Sequence, residues 1–339
     1  MYDNLPVLDV HGHVSTPQAA NYHLVRMLAT NTPIASPIGT SGPGPAGVTT
    51  EEFHAAARKH VQYLDERTID AQVIGPRPFM HLGWMQPHLA PAWARFVNDT
   101  IHQQVRFFPD RFLGAAQLPQ LSEAPDLSNC LNELNRCVGE YGFVAAYVSP
   151  DPGGRRMTPG MHEPYWYPLY AQAQELGIPL IVHGTNSLDP RFAVVPHNYQ
   201  LGFITEQYLA GQFLSHSDVF ERFPELKIII CHCGGALDRF IPTDHHIAQK
   251  DLSENLFYDT CGYDLPFLEA AIKQRGVPQL VFGTEAPGSG NAVRPETGRT
   301  SDDLVPVIDG FDFLSAQDKR AIFHANPAKV IPALAKIAG

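Results

Sequence analysis

The sequence predicts an α/β chain folded as a (β/α)8, TIM-like barrel, and three observations carry that prediction. Eight short apolar runs alternate with helical segments, a pattern that gives parallel strands covered on their outer side. Eight such units in about 300 residues fit a closed barrel better than an open doubly wound sheet. No Gly-x-Gly-x-x-Gly follows the first strand, so a dinucleotide-binding fold lacks its fingerprint.

The first run, LPVLDVHGH (5–13), reads as a strand. Strict alternation puts Val7, Asp9, His11 and His13 on one face and Leu8 and Val10 on the other. The two histidines are then about 7 Å apart along the backbone. That spacing suits two imidazoles closing on one ion through metal–nitrogen bonds of about 2.0–2.1 Å. Alone, His-x-His describes equally well a histidine-rich strand end making ordinary hydrogen bonds. Residues 15–50 turn to Pro, Gly, Ser and Thr and end TPIASPIGTSGPGPAGVTT. A loop this long, entered directly from His13, is either a lid over the site or a surface excursion, with a short helix near 22–29.

The rhythm then becomes regular. Helices are expected at 51–66, 92–107, 126–141, 165–177, 199–216, 236–249 and 266–275. The strands between and after them are DAQVIGP (70–76), RFLGAAQLP (111–119), GFVAAYVSP (142–150), IPLIVHG (178–184), LKIIICHCGG (226–235), NLFYDTCG (255–262) and QLVFGTEAP (279–287). Helices near 302–309, 316–324 and 328–337 finish the chain. One barrel domain is expected over 1–339, with 15–50 as an insertion and 301–339 as C-terminal helices.

Of 339 residues, 44% are hydrophobic and 17% charged, enough to bury a large core. The net charge is −11 and the 24 basic residues form no long run, which argues against nucleic acid or an anionic membrane as partner. No apolar stretch reaches the roughly 18 residues of a spanning helix, and no signal-peptide pattern opens the chain, so a soluble cytoplasmic protein is expected. The five cysteines (Cys130, Cys137, Cys231, Cys233, Cys261) are odd in number and lack metal-knuckle spacing, which favours reduced thiols.

Active sites of these barrels lie at the C-terminal ends of the strands. His11 and His13 end strand 1, His183 strand 5, His232 strand 6 and Glu285 strand 8. Counting back by two, His183 shares a face with Ile181, His232 with Ile230 and Ile228, and Glu285 with Gly283 and Val281. Cys231 and Cys233 are then expected to face the helix layer as packed thiols. Imidazoles and one carboxylate converging on a barrel mouth describe a catalytic divalent-metal site. The competing role for Glu285 is an ion pair with an arginine such as Arg294. Arg294 and Arg77 are candidate carboxylate clamps, because guanidinium binds carboxylate through two parallel hydrogen bonds. Tyr199 and His197, after strand 5, are further candidate substrate contacts.

DVHGH, FFPDRFLGAAQLP, LGIPLIVHG, ERFPELKIIICHCGGALDRF, NLFYDTCGYD, VFGTE and NPAKV together resemble the amidohydrolase superfamily, in its second, decarboxylase-and-hydratase branch. The resemblance spans essentially the whole chain and implies a barrel of the metal-dependent hydrolase type. It implies His11, His13 and His183 as ligands, Glu285 as the strand-8 ligand and catalytic group, and His232 as a catalytic residue beside the ion. Two-metal barrels of this kind use a carboxylated lysine on strand 4, where FVAAYVSP has none, so one divalent ion is implied, zinc first and manganese next. Decarboxylases of the branch carry Gly-Thr-Asp on strand 8. The Gly-Thr-Glu here, with Ala292 to Gly298 (AVRPETG), resembles instead the hydratases of oxalomesaconate-type acids. Two features depart from those hydratases: a strand-5 loop without cysteine (TNSLDPRFAVVPHNY) and the extra residues PGSGN after Glu285. The implied activity is a lyase of aromatic-compound breakdown acting on a small carboxylate. Hydration comes first, decarboxylation of an aromatic or muconate-type acid second, and hydrolysis of a lactone or amide third. A symmetric dimer is the default assembly.

Overall fold

The computed structural model describes residues 1–17, 48–192, 194, 198–244 and 250–337, with the backbone alone at 198 and 199. Eight strands form one parallel sheet in chain order: β1 (Leu8–His13), β2 (Ala71–Gly75), β3 (Phe112–Gln117), β4 (Ala145–Val148), β5 (Leu180–Val182), β6 (Ile228–Ile230), β7 (Leu256–Asp259) and β8 (Leu280–Val281). The sheet closes between its first and last members, where Val10 N–H donates to Phe282 O (2.9 Å) and Glu285 N–H to His11 O (2.8 Å). It is the (β/α)8 barrel that the alternation predicts.

Helices cover the outside: α1 (Thr50–Asp65), α2 (Ala90–Phe107), α3 (Ser128–Tyr141), α4 (Tyr167–Leu176), α5 (Asn198–Ser215), α6 (Val219–Arg222), α7 (Leu265–Arg275) and α8 (Val305–Asp309). Their starts and stops follow local chemistry. Thr49 and Glu52 form a reciprocal capping box at α1, Asp264 caps α7, and Gly142 and Gly177 end α3 and α4 in the left-handed region that glycine adopts without strain. Two apolar layers result. Leu8, Val10, Ala71, Val73, Ala115, Ala145, Tyr147, Ile181, Ile229, Phe257 and Val281 fill the barrel, joined by Val330, Ile331 and Leu334 from the C-terminal helices. Ile74, Phe112, Val148, Leu180, Val182, Ile228 and Ile230 face outward against the helices.

One expected helix is corrected. Within 236–249 the described residues hold a short turn, Ile241–Thr243, and 245–249 lie outside the described residues. Gly234 and Gly235 sit at positive φ and start no helix. The segment's polar groups instead bond to α7: Arg275 donates to Ala236 O (2.7 Å) and to the Asp238 carboxylate (3.1 Å). Gln274 exchanges bonds with the backbone of Asp238. Most of the 15–50 insertion, including the helix near 22–29, also lies outside the described residues. Among the described residues no helix is long and apolar enough to cross a membrane.

Candidate metal centre

The strand ends do converge, but not by simple alternation. In β1 the partner of Asp9 is Gln72 while that of Gly12 is Ile74, so one extra residue is inserted between them. Leu8 and Val10 belong to the barrel interior, and Val7 to the outer layer. The bulge then turns His11 and His13 inward, against the expectation that they share a face with Val7 and Asp9. Asp9 is instead buried behind the site, accepting from Thr284 Oγ1 (2.6 Å), Gln72 Nε2 (2.8 Å) and His11 N–H (2.9 Å).

Strand 6 departs in the same way. Ile229 and Cys231 point into the barrel and Ile228, Ile230 and Cys233 into the helix layer, so the placing of Cys231 among the outward thiols is corrected. His232 would point outward by parity. It reaches the mouth because the chain leaves the strand with His232 at φ 54° and Cys233 at φ 57°. Such left-handed residues are uncommon outside glycine and mark a backbone held by its surroundings. Glu285, at φ 58°, is a third. His183 sits as alternation predicts.

His11, His13, His183 and Glu285 are all buried, and one ligand atom from each lies within 4.8 Å of the others. The ring partners decide which atoms those are. His11 Nδ1–H donates to Asp259 Oδ2 (2.7 Å), His13 Nδ1–H to Pro76 O (2.7 Å) and His183 Nδ1–H to Gly184 O (2.8 Å). With the proton on Nδ1, each neutral ring turns a lone pair at Nε2 toward the centre. Among the described residues these three buried Nε2 atoms meet no hydrogen-bond partner. Burial also keeps two of the rings neutral, with His13 lowered to about 4 and His183 well below the ordinary value. Burial alone would raise Glu285, yet the His232 ring facing it helps to hold it well below the usual carboxylate range. Its Oε1 lies 3.4 Å from His13 Nε2. Three buried lone pairs and a carboxylate facing one another form a donor set for a cation, and three nitrogens with one oxygen suit a borderline divalent ion.

The thiols nearby do not compete. Burial pushes Cys231 and Cys261 well above the ordinary thiol value, with Asp259 and Glu285 adding to it, so both stay protonated. All five cysteines are free and buried.

Around the ligand set, Glu285 Oε2 accepts from Ser289 Oγ (2.7 Å) and the Tyr263 hydroxyl (3.3 Å) and faces His232 Nε2 at 3.8 Å. Tyr147 lies below, its ring 5.8 Å from that of His13 and its hydroxyl donating to Gly12 O. Arg77 is near enough for Glu285 and His13 to feel its charge. Its guanidinium donates to Val14 O (2.9 Å) and Pro287 O (3.4 Å). Arg294 is different: it is buried and donates to the carbonyls of Tyr263, Thr300 and Ser301. Those bonds staple the loop after Glu285. They make neither an ion pair with Glu285 nor a clamp aimed at the mouth. His197 and the side chain of Tyr199 lie outside the described residues.

Sequence reasoning missed Asp259. The same count that found His183 finds it, since Phe257 points inward and Asp259 follows two residues later. Gln207, whose Nε2 lies 2.7 Å from His232 Nδ1, and Ser289 carry no comparable signal, one being mid-helix and the other in a loop.

An amidohydrolase family description matches residues 8–333. The chain belongs to the amidohydrolase family. It is similar to a 2-keto-4-carboxy-3-hexenedioate hydratase of Sphingobium sp. (strain NBRC 103272 / SYK-6), 30% identical over 344 residues, with 97% of this chain and 96% of the relative covered. In three dimensions it is similar to the 4-oxalomesaconate hydratase of Rhodopseudomonas palustris, with a TM-score of 0.80, 29% identity, and 97% and 96% of the two chains covered. A dihydroxybenzoic acid decarboxylase from Polaromonas sp. JS666, solved with manganese and 2-nitroresorcinol, shares the fold at a TM-score of 0.68 and 21% identity over 97% of each chain. Metal dependence is common to such amidohydrolases, and the ligand set described above fits it.

Proposed function

We propose that this amidohydrolase is a metal-dependent hydro-lyase. It adds water across a carbon–carbon double bond conjugated to a keto group, in a small polycarboxylate from aromatic-compound breakdown. One observation carries the reading: two opposed proton carriers face each other at the centre, one of them the carboxylate of the ligand set. Glu285 is held as an anion, and His232 presents Nε2 3.8 Å from it. Adding water requires a base for the water and an acid for the carbon, whereas decarboxylation requires only the acid. Whole-length similarity to two hydratases supports the same choice.

His11, His13, His183 and Glu285 would hold one divalent ion, zinc before manganese, and the ion would supply polarisation of the keto oxygen. The chain's own groups do the rest. Glu285 Oε2, oriented by Ser289 and Tyr263, accepts a proton from the water. His232 delivers a proton from Nε2 to the carbon across the double bond. Arg77 contributes positive charge for a substrate carboxylate. Tyr147 and the buried flanks of the strands keep bulk water from below.

The test is proton NMR and mass of the reaction in heavy water, with metal-loaded protein and two substrates. Gain of water by an unsaturated keto-dicarboxylate of the oxalomesaconate kind, without gas release, supports the reading. Release of carbon dioxide from a hydroxybenzoate-type acid instead moves the enzyme to the decarboxylases, whose fold it shares. Elemental analysis of the purified protein decides zinc against manganese.

A further inference from the structure

Of four imidazoles that the described residues bring to the mouth, one is bonded the other way round. His11, His13 and His183 each place Nδ1 against an oxygen that can only accept. His232 places Nδ1 2.7 Å from Gln207 Nε2, an amide nitrogen that can only donate. A ring that accepts at Nδ1 carries its proton on Nε2 when neutral. We infer that Gln207 sets the tautomer of His232, making it a proton carrier where its three neighbours are lone-pair donors. The catalytic half of this inference rests on the hydro-lyase reading; the tautomer does not.

The fold builds this contact with some care for distance. Gln207 is fully buried on α5, one turn after Phe203, whose ring lies 5.3 Å from that of His183 and 6.5 Å from that of His232. The helix comes this close because residue 235 is glycine. A Cβ there would meet Ile204 O at 2.3 Å and Tyr208 N at 3.1 Å, in the very turn that carries Gln207. From the other side, the left-handed backbone of His232 and Cys233 swings the ring off the strand and toward the helix.

The consequence is a division of labour among like residues. The His232 ring lies 5.0 Å from that of His183 and 5.2 Å from that of His11, close enough for His232 to enter an alternative ligand group with His11 and Cys261. A lone pair at its Nε2 would compete for the ion. A proton there points instead toward Glu285 Oε2 and the open mouth, since the side chain keeps 19% of its surface exposed. Among the described residues Gln207 Oε1 has no partner, so no bond to that oxygen resists exchanging the amide for a carboxylate of the same shape.

The experiment uses metal-free protein labelled with 15N-histidine, with H232N to assign the ring, and long-range 1H–15N correlation to read its tautomer. The wild type should show the Nε2–H form. Q207E, whose carboxylate can only accept, should convert it to Nδ1–H, and Q207M should give a mixture while preserving size. With whichever of the two substrates above turns over, Q207E should lose about 10²-fold or more in kcat, the scale of a general acid, with KM within about threefold. An Nδ1–H ring in the wild type, or Q207E turning over at the wild-type rate, overturns the inference. Decarboxylation by a protein with the expected tautomer would instead leave the Gln207 role standing and refute the hydratase reading.

Discussion

Replacing Asp259 with Asn should separate metal binding from folding. The carboxylate is fully buried and makes three bonds: Oδ2 accepts from His11 Nδ1 (2.7 Å), while Oδ1 accepts from the backbone N–H of Cys233 (3.0 Å) and of Cys261 (3.0 Å). An amide of the same shape has one acceptor and cannot serve both sides. If its oxygen faces His11, its NH2 opposes two buried N–H groups, each left unsatisfied at about 1–3 kcal/mol. If its oxygen faces those N–H groups, its NH2 faces His11, and the ring must accept at Nδ1. That second arrangement keeps the fold and moves the His11 proton to Nε2, into the ligand set. The second wins, because it avoids about 2–6 kcal/mol of stranded backbone donors. Loss of an oriented ligand partner commonly costs 10–100-fold in metal affinity, and the reversal of a ligand ring belongs at the upper end, about 2.7 kcal/mol. Chelator competition should therefore show metal affinity down about 100-fold, with the melting temperature of the metal-free protein changed by only a few degrees. Metal affinity within threefold of wild type would refute the reasoning, as would a large loss of metal-free stability with affinity retained.

Three further outcomes follow from the geometry. H183A should lose bound metal and turnover together, read by elemental analysis and the activity assay. H232N should retain the metal and lose about 10²–10⁴-fold in kcat, the range of a general acid; full activity would remove His232 from the mechanism. E206Q tests a carboxyl outside the ligand set. Burial, then the nearby Asp151, raise Glu206 from 4.5 to about 7 against the pull of Arg156. The folded state thus keeps a proton that the unfolded chain releases, so stability present below pH 4.5 is lost as pH rises to 7. Denaturation at pH 8 should find E206Q gaining about 2–3 kcal/mol over wild type, a difference that vanishes below pH 4.5.

Period and composition made the barrel legible, because a parallel strand buried on both faces has little freedom in what it can contain. Every strand expected from the sequence is present, and the five strand-end groups do meet. What failed was parity at the last residues. His11 and His13 face inward through a bulge and His232 through two left-handed residues, whereas Cys231 keeps its parity with Ile229 and lies inside because strand 6 has the opposite face inward from the one expected. Alternation holds while a strand is pairing on both sides. It stops holding at a bulge within the ladder, as in β1, or past the ladder's end, as after β6. Arg294 misled for a related reason: a lone arginine in a polar loop looks like a clamp, and only the three carbonyls around it show that it holds the loop. The helix expected at 236–249 failed because the groups that replace its hydrogen bonds, Gln274 and Arg275, lie on a different helix.

Irregular backbone at the site has its supports in the same residues that set the chemistry. His232, Cys233 and Glu285 each occupy a left-handed conformation that costs on the order of 1–3 kcal/mol without glycine. Asp259 holds the Cys233 N–H, and the same carboxylate fixes the His11 proton. Asp9 binds Thr284 and Gln72 binds Ala286 O, so the residues on either side of Glu285 are both anchored, and Glu285 N–H itself bonds to His11 O. Gln72 is in turn held by His60, whose burial lowers it to about 3 and keeps it neutral. The strained positions and the ligand orientations are therefore not independent. A substitution that relaxes Glu285 to a strand conformation also withdraws its carboxylate from His13 and His232. The coupling predicts that Q72M, which removes the amide bonded to both Asp9 and Ala286 O, should weaken metal binding without touching a ligand. Combined with Ser289→Ala, which frees Glu285 Oε2 from its shortest bond, the loss should be less than the sum of the two, because both act through the orientation of one side chain. Strictly additive losses in metal affinity would show that the two supports hold different things.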